Sequence, residues 1–185
     1  MLSANRGTLS LEGDFKMPYI RKKDIEVSLL QKMFSYNPET GELIRVWSHR
    51  YGVIKNSKPL KSADVWVIDR HISKGQVIWA VHYGKWSLFL IDHRDRDTAN
   101  NKINNLREAT DEENQYNRVN PNSNGYKGIT FNNQERHHKK PWLARIKYNG
   151  KRITLGHFAT KQEAGEAYKT AAIKYYGEFA NTGVV

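Results

Sequence analysis

One stretch near the middle of the chain constrains the fold more than any other. It begins with an apolar run at 88–91, whose composition predicts a buried strand. A polar loop at 94–102 and a second short strand at 103–109 follow it. Thr110 and Glu113 then have the spacing of a capping box, which marks the start of a helix. The order strand, loop, strand, helix predicts a ββα unit within an α+β fold.

The residues before this unit predict a small set of further elements. Apolar residues at helical spacing predict a short helix over 25–34, and strand-like runs lie at 43–47 and 65–68. The apolar run 77–81 favours a second helix. Residues 1–24 mix polar, glycine and charged residues without such a period, so we expect a flexible leader there.

The C-terminal part of the chain alternates like three antiparallel strands, at 126–131, 142–148 and 152–157. Asn149-Gly150 between the last two is the strongest short signal for a hairpin. Thr160 and Glu163 form a second capping box, followed by small and aromatic residues at helical spacing. This pattern predicts a small three-stranded antiparallel sheet that packs on one helix.

These elements predict two domains. The ββα unit belongs to a first domain at 25–117, and the polar stretch 118–124 is the expected linker. The sheet and its helix form a second domain at 125–185.

Net charge indicates the class of partner. The chain carries 30 Lys and Arg against 19 Asp and Glu, a net charge of +11. From residue 118 onward there are 12 Lys and Arg against 4 Asp and Glu, a net charge of +8, which favours a nucleic acid partner. There is no cysteine, which excludes disulfides and cysteine-based zinc sites. No apolar run is long enough for a membrane span, so we expect no membrane partner.

Asp92 and His93 follow the first strand of the ββα unit directly and are the candidate reactive pair. Histidine changes charge near neutral pH and can take a proton from water, while aspartate offers the hard oxygen that Mg²⁺ prefers. Neighbouring side chains in a strand point to opposite faces, so both serve one site only at a strand end or a bulge. Asn105 lies twelve residues after His93, and Asn114 lies nine after Asn105 on the first turn of the expected helix.

The run IDHRDRDTANNKINNLREATDEENQYN resembles the HNH endonucleases, in the phage and intron-borne form whose last ligand is Asn. The resemblance covers about residues 36–118 and implies a ββα-metal nuclease domain. It implies that Asp92 and Asn114 bind Mg²⁺, or another divalent metal such as Mn²⁺, and that His93 is the general base. It also implies that Asn105 orients His93 by a hydrogen bond. The complete pattern favours catalysis over an incidental Asp-His pair.

The sequence departs from this family just before the apolar run 77–81. Many relatives carry a His-Arg pair there, whereas this chain has Gly75-Gln76, or Ser73-Lys74 if the alignment slides. The departure changes a contact that supports the site and leaves the candidate catalytic set intact.

The loop between the two strands holds further candidates. Asn101 and Asn104 are alternatives to Asn105 for the middle position, because each fits a loop of slightly different length. Arg94 and Arg96 alternate with acidic residues in a solvated loop and are candidate contacts to DNA phosphates.

The run from Gly125 to Asn181 resembles the AP2 DNA-binding domain over nearly its full length. Members of that family lay a three-stranded sheet in the DNA major groove and read it with Arg and Trp side chains. The candidate DNA-binding residues here are Lys127, Trp142, Arg145, Lys147, Arg152 and Thr154. Strand alternation places Trp142 on one face of the sheet and Arg145 and Lys147 on the other face. Trp142 is therefore either a DNA-facing aromatic or a core residue.

The sequence therefore predicts a metal-dependent endonuclease that hydrolyses phosphodiester bonds in double-stranded DNA. The resemblance implies a homing or nicking enzyme of a phage or mobile element, acting in the host cytoplasm as a monomer or a DNA-induced dimer. Two alternatives stay open: a non-catalytic DNA-binding regulator that kept an HNH-like shell, and a nuclease directed at RNA.

Overall fold

The computed structural model describes residues 25–118, 126–132 and 139–182. The expected leader 1–24 and most of the expected linker 118–124 lie outside these residues. Within the first range the elements are α1 (Val27–Met33), β1 (Phe34–Tyr36), β2 (Leu43–Arg45), β3 (Trp47–Ser48), β4 (Gly52–Val53), β5 (Asp64–Val67), β6 (Arg70–Ser73), α2 (Lys74–Tyr83), β7 (Leu90–His93), β8 (Leu106–Ala109) and α3 (Asp111–Asn117). A 3-10 turn, Ile103–Asn105, leads into β8.

The strands of this first module form four antiparallel pairs, β1–β2, β3–β4, β5–β6 and β7–β8. Helix α2 is buried along most of its length and packs on α1, β1 and β7. Val77, Ile78 and Ala80 are fully enclosed at the centre of the core. This helix therefore supports β7, the strand that carries the Asp92-His93 pair.

The second module contains β9 (Ile129–Phe131), β10 (Trp142–Tyr148), β11 (Lys151–Phe158) and α4 (Lys161–Tyr176). The sheet has the order β11-β10-β9 with antiparallel pairs, and Asn149-Gly150 forms the turn between β10 and β11 with both residues at positive φ. Both predicted capping boxes are present, at Thr110 and at Thr160. The predicted α+β class and the predicted sheet with one helix are confirmed for the described residues.

Two predicted strands were wrong in detail. The run 88–91 was expected to be buried, but Leu88 is 80% exposed and β7 begins only at Leu90. Gln76 Nε2 and Ser87 Oγ both donate to the carbonyl of Phe89, so side chains rather than a strand ladder fix this segment. The second strand was expected over 103–109, but its first three residues form the 3-10 turn, because Asn105 N–H bonds the carbonyl of Lys102.

The first strand prediction upstream also needed correction. The run 43–47 is interrupted at Val46, whose N–H donates to the carbonyl of Met33. It therefore splits into β2 and β3, which pair with different partners.

No helix in the described part of the chain combines the length and the apolar character that crossing a membrane requires.

Helix α3 belongs to both modules. The rings of Tyr116 and Tyr176 stack with centroids 3.8 Å apart, so the end of α3 shares a core with α4. The turn of the β10–β11 hairpin reaches the same helix, where Gly150 N–H donates to Glu112 Oε1 over 3.1 Å. The two predicted domains are therefore joined by direct packing, in addition to the covalent connection.

Candidate active site

Asp92 is the most strongly constrained side chain of the predicted site. It is only 7% exposed, and it stands directly opposite Arg107 across the β7–β8 ladder. Arg107 Nε donates to Asp92 Oδ2 over 2.9 Å. Nη2 of the same guanidinium lies 2.8 Å from that oxygen as an ion-pair contact without hydrogen-bond alignment. A buried carboxylate needs such a partner, since an unpaired charge inside a protein costs several kcal/mol.

Asn117, at the end of α3, completes the environment of Asp92. Its Nδ2 donates to Asp92 Oδ1 over 3.0 Å, to Oδ2 over 2.9 Å and to the carbonyl of His93 over 2.8 Å. The sequence prediction did not single out Asn117. The available signal was its position three residues after Asn114, which puts both amides on one helix face.

His93 is the last residue of β7, and its ring leaves the strand toward the loop that follows. His93 Nε2 lies 3.2 Å from Asn101 Oδ1. Asn101 Nδ2 donates to the carbonyls of Thr98 and Ala99, which fixes Oδ1 as the atom that faces the imidazole. Nε2 must then carry the proton of this hydrogen bond, and Nδ1 is the nitrogen left to accept one.

Asn105 does not make the expected hydrogen bond to the His93 side chain. Its Nδ2 donates instead to Asp95 Oδ1 over 2.8 Å and to the carbonyl of Asn100 over 2.7 Å, and its Oδ1 accepts from Asp95 N–H. Burial raises the pKa of Asp95, but the hydrogen bonds from Asn100 and Asn105 outweigh it and hold that pKa below its usual value. Asn105 therefore ties together the loop that presents Asn101 to His93.

The β1–β2 turn supports this loop from outside. Tyr36 Oη donates to the carbonyl of Asn101 over 2.7 Å, and burial raises the pKa of Tyr36 to about 12. Gly41 has φ of 77°, and a Cβ there would come within 2.7 Å of the Asn101 and Lys102 backbone. Only glycine allows so close an approach in this conformation.

The side chains around Asp92 and His93 open into a cleft of about 480 Å³. Asn114 and Asn117 line it from α3, and the cationic side chains in its wall are Lys74, Arg96 and Arg118. Lys74 is buried, its Nζ donates to the carbonyl of Leu60, and burial lowers its pKa. The structure thus brings Asp92, His93 and Asn114 to one cleft, whose cationic wall suits an anionic substrate.

The cleft also offers oxygen atoms to a metal ion. Asp92 Oδ1 accepts from Asn117 alone among the hydrogen bonds of the described residues, which leaves a lone pair for a cation. The amide of Asn114 is the second oxygen donor in the same cleft. No group of three or more His, Cys, Asp or Glu suited to a metal occurs in the described ranges. One carboxylate with one amide fits Mg²⁺, which usually keeps several waters and binds through few protein ligands and substrate phosphates.

Two residues predicted to contact DNA have partners within the protein. Arg94 Nη1 lies 2.5 Å from Glu178 Oε2, in the 3-10 turn after α4. Lys127 Nζ donates to the carbonyls of Gln115, Tyr116 and Arg118 at the end of α3. Burial and the nearby Arg96 lower the pKa of Lys127 to about 8. For both residues, contact with DNA stays a prediction.

The remaining candidates lie on the sheet of the second module. Arg145 is directly opposite Thr154, and Lys147 is directly opposite Arg152, with all four side chains exposed. Ala144 and Ile146 point the other way, into the core against α4. Trp142 is half-buried, packs on that core and meets Phe131 edge to face at 5.0 Å, and its contact with DNA stays a prediction. Four of the candidates, Arg145, Lys147, Arg152 and Thr154, therefore share one exposed face of the sheet, which we call the basic face.

Comparison with known proteins supports the assignment of the first module. Residues 74–116 match the sequence profile of a family described as HNH endonuclease. A protein of Acanthamoeba polyphaga mimivirus, named as an uncharacterized HNH endonuclease, is 31% identical over 91 residues. That match covers 49% of this chain and 44% of the viral protein, so the chain spans less than half of its relative. No solved protein structure shows a significant match to the chain. Residues 74–116 are thus similar to the HNH endonuclease family.

Proposed function

We propose that this chain is a divalent-metal-dependent DNA endonuclease in which His93 is the general base. The observation that carries the proposal is the cleft where His93, Asp92 and Asn114 meet beside cationic side chains. The position of this cleft within residues 74–116, the segment similar to HNH endonucleases, supports it.

The proposed reaction is hydrolysis of one phosphodiester bond. The oxygen of a water molecule attacks phosphorus, the bond from phosphorus to the 3′ oxygen breaks, and His93 takes a proton from the water. Asn101 holds the imidazole through Nε2, which leaves Nδ1 to accept that proton. Arg96 and Arg118, the exposed cationic side chains in the wall of the cleft, attract and orient the phosphate backbone.

Asp92 and Asn114 are the residues that would hold the metal. A divalent cation bound there supplies positive charge that neutralises the scissile phosphate and the departing 3′ oxygen. Arg107 and Asn117 keep the Asp92 carboxylate in one orientation toward the cleft. The chemistry suits Mg²⁺ and also Mn²⁺, since both accept carboxylate and amide oxygen ligands.

The basic face of the second module is the proposed site of duplex binding. Exposed guanidinium and ammonium groups neutralise phosphates and release counterions, which supplies affinity with little dependence on sequence. The likeness of this module to AP2 domains, and a homing or nicking role in a host cytoplasm, belong to the same proposal. Since the described residues form one cleft that contains His93, a monomer would nick one strand, and a cut through both strands would need a dimer.

Plasmid nicking in Mg²⁺ and in EDTA tests the proposal. We expect nicking in Mg²⁺, none in EDTA, and a fall of about 100-fold or more in the rate for His93→Ala, because a general base contributes about 10²–10⁴ in rate. His71→Ala is the matched control, since His71 is exposed and packs on Trp66 away from the cleft. Undiminished nicking by His93→Ala would overturn the assigned role. Tight DNA binding without metal-stimulated cleavage would instead favour the regulator.

A further inference from the structure

Two routes of direct contacts, each through one intermediate residue, connect the Asp92 carboxylate to residues 178–181. The first route runs through Arg107, which is 5% exposed. Its Nη1 donates to the carbonyl of Glu178 over 2.7 Å, and its guanidinium carbon lies 3.7 Å from the centre of the Phe179 ring. The guanidinium that holds Asp92 is therefore itself held by the 3-10 turn after α4.

The second route runs through Asn117. Asn181, which is 5% exposed, donates from Nδ2 to the carbonyls of Asn117 and Arg118 over 3.2 Å each. These are the last carbonyls of α3 and the residue after it, which have no partner within the helix. Asn181 thus fixes the end of the helix from which Asn117 reaches Asp92 and the His93 carbonyl.

Both routes start in four consecutive residues and end on one side chain. Each contact in them is buried or half-buried, so solvent does not weaken it as it weakens an exposed ion pair. Partners that hold a metal ligand in place typically change metal affinity by about 10- to 100-fold when they are removed. Arg107 and Asn117 are such partners, because they contact Asp92 directly. Residues 178–181 contact Arg107 and Asn117 in turn, so they hold the metal ligand indirectly.

We propose that residues 178–181 position Asp92 for metal binding, through Arg107 on one side and Asn117 on the other. The second module then supports a ligand of the cleft from outside, in addition to carrying the proposed DNA-binding face. The inference rests on the proposed function for its metal, while its geometric part concerns only how Asp92 and Arg107 are held. Phe179 and Asn181 are positioning residues and do not touch the substrate.

Two measurements on the full-length protein test this. The first is the affinity for Mn²⁺ without DNA, by calorimetric titration. The second is the hydrogen-exchange rate of the Arg107 Nε–H, which NMR resolves because that proton is buried against Asp92. The variants are Phe179→Leu, which keeps an apolar side chain and removes the ring, and Asn181→Ala. Phe179→Tyr is the first control, because it keeps an aromatic ring at this position. Phe158→Leu is the second control, because it removes a ring elsewhere in the second module, where Phe158 packs on Ala144 and Ala164.

We expect Phe179→Leu and Asn181→Ala each to weaken Mn²⁺ binding about tenfold and to speed exchange of the Arg107 Nε–H. Phe179→Tyr should stay within about twofold of the original protein, and Phe158→Leu should leave both readouts unchanged even if it lowers the melting temperature. Unchanged Mn²⁺ affinity and exchange in both folded test variants would overturn the inference. Equal effects from Phe158→Leu would also overturn it, since they would reveal general loosening.

The failure of the proposed function has a different signature. If the original protein neither binds Mn²⁺ nor cleaves DNA, the metal-dependent nuclease is excluded. Faster exchange of the Arg107 Nε–H in Phe179→Leu alone among the aromatic variants would still support the positioning of Asp92 by residues 178–181.

Discussion

The β7–β8 hairpin and the β10–β11 hairpin both carry an arginine at a directly paired position, and the two arginines differ in environment. Arg107 is buried opposite Asp92 and contacts a carboxylate, a backbone carbonyl and an aromatic ring. Arg145 is exposed opposite Thr154, on a face that also carries Lys147 and Arg152. The first arginine stabilises one arrangement of the protein, and the second is available to a partner from outside. The same type of side chain thus stabilises the fold in one hairpin and is proposed to bind DNA in the other.

Replacing each arginine by methionine tests this comparison directly and gives the largest expected effect. Arg107→Met leaves Asp92 as a buried charge without its cation, so we expect the free energy of unfolding to fall by about 3–5 kcal/mol. Arg145→Met should change it by no more than about 0.5 kcal/mol, as for most exposed positions. Urea unfolding followed by circular dichroism measures both. Similar losses from the two substitutions would contradict the distinction between the hairpins.

The exposed face should show the reverse pattern in DNA binding. We expect the triple substitution Arg145→Gln, Lys147→Gln and Arg152→Gln to reduce the slope of log affinity against log salt by about 2–3, because each lost phosphate contact removes about 0.9. Duplex affinity at low salt should fall at least about tenfold, with unfolding unchanged.

The matched control removes the same charge from the opposite side of the second module, in α4, through Lys161→Gln, Lys169→Gln and Lys174→Gln. Fluorescence anisotropy in EDTA measures binding of both triple variants without cleavage. An equal loss in the control would mean that net charge, and not the strand face, provides the affinity.

The loop between β7 and β8 offers the same comparison of a buried with an exposed residue, here between two asparagines. We expect the smallest effect of the series here, on the rate of nicking. Asn101 is 3% exposed and contacts His93, whereas Asn104 is exposed. We expect Asn101→Ala to slow plasmid nicking about tenfold by releasing the imidazole, since small losses of alignment are costly in catalysis. Asn104→Ala should nick at the original rate. If the two rates change together, the contact between Asn101 and His93 has no role in catalysis.

Local signals in the sequence were sufficient for much of the fold. The capping boxes at Thr110 and Thr160 and the turn at Asn149-Gly150 depend on residues within four positions of one another, and all three are present. The exposed Leu88 was mispredicted because its segment is held by a hydrogen bond from Gln76, in α2, to the carbonyl of Phe89. Composition alone does not contain that contact.

The candidate site divides in the same way. The spacing of Asp92, His93 and Asn114 predicted residues that the structure brings to one cleft. The sequence did not decide which asparagine contacts His93, because that contact depends on the path of the loop. Tyr36 and Gly41, which are distant in sequence, fix this path at Asn101. Arg107 and Asn117 were missed because burial next to Asp92 gives them their role, and burial is a property of the folded chain.

The contact between Arg107 and the carbonyl of Glu178 joins residues 71 positions apart in the chain. During synthesis at about 5–20 residues per second, several seconds pass after β8 emerges before that carbonyl exists. A nascent chain therefore carries Asp92 and His93 for some time without the completed network around them. A chain that ends before α4 would keep Asp92 and His93 but would lack the carbonyl that holds Arg107.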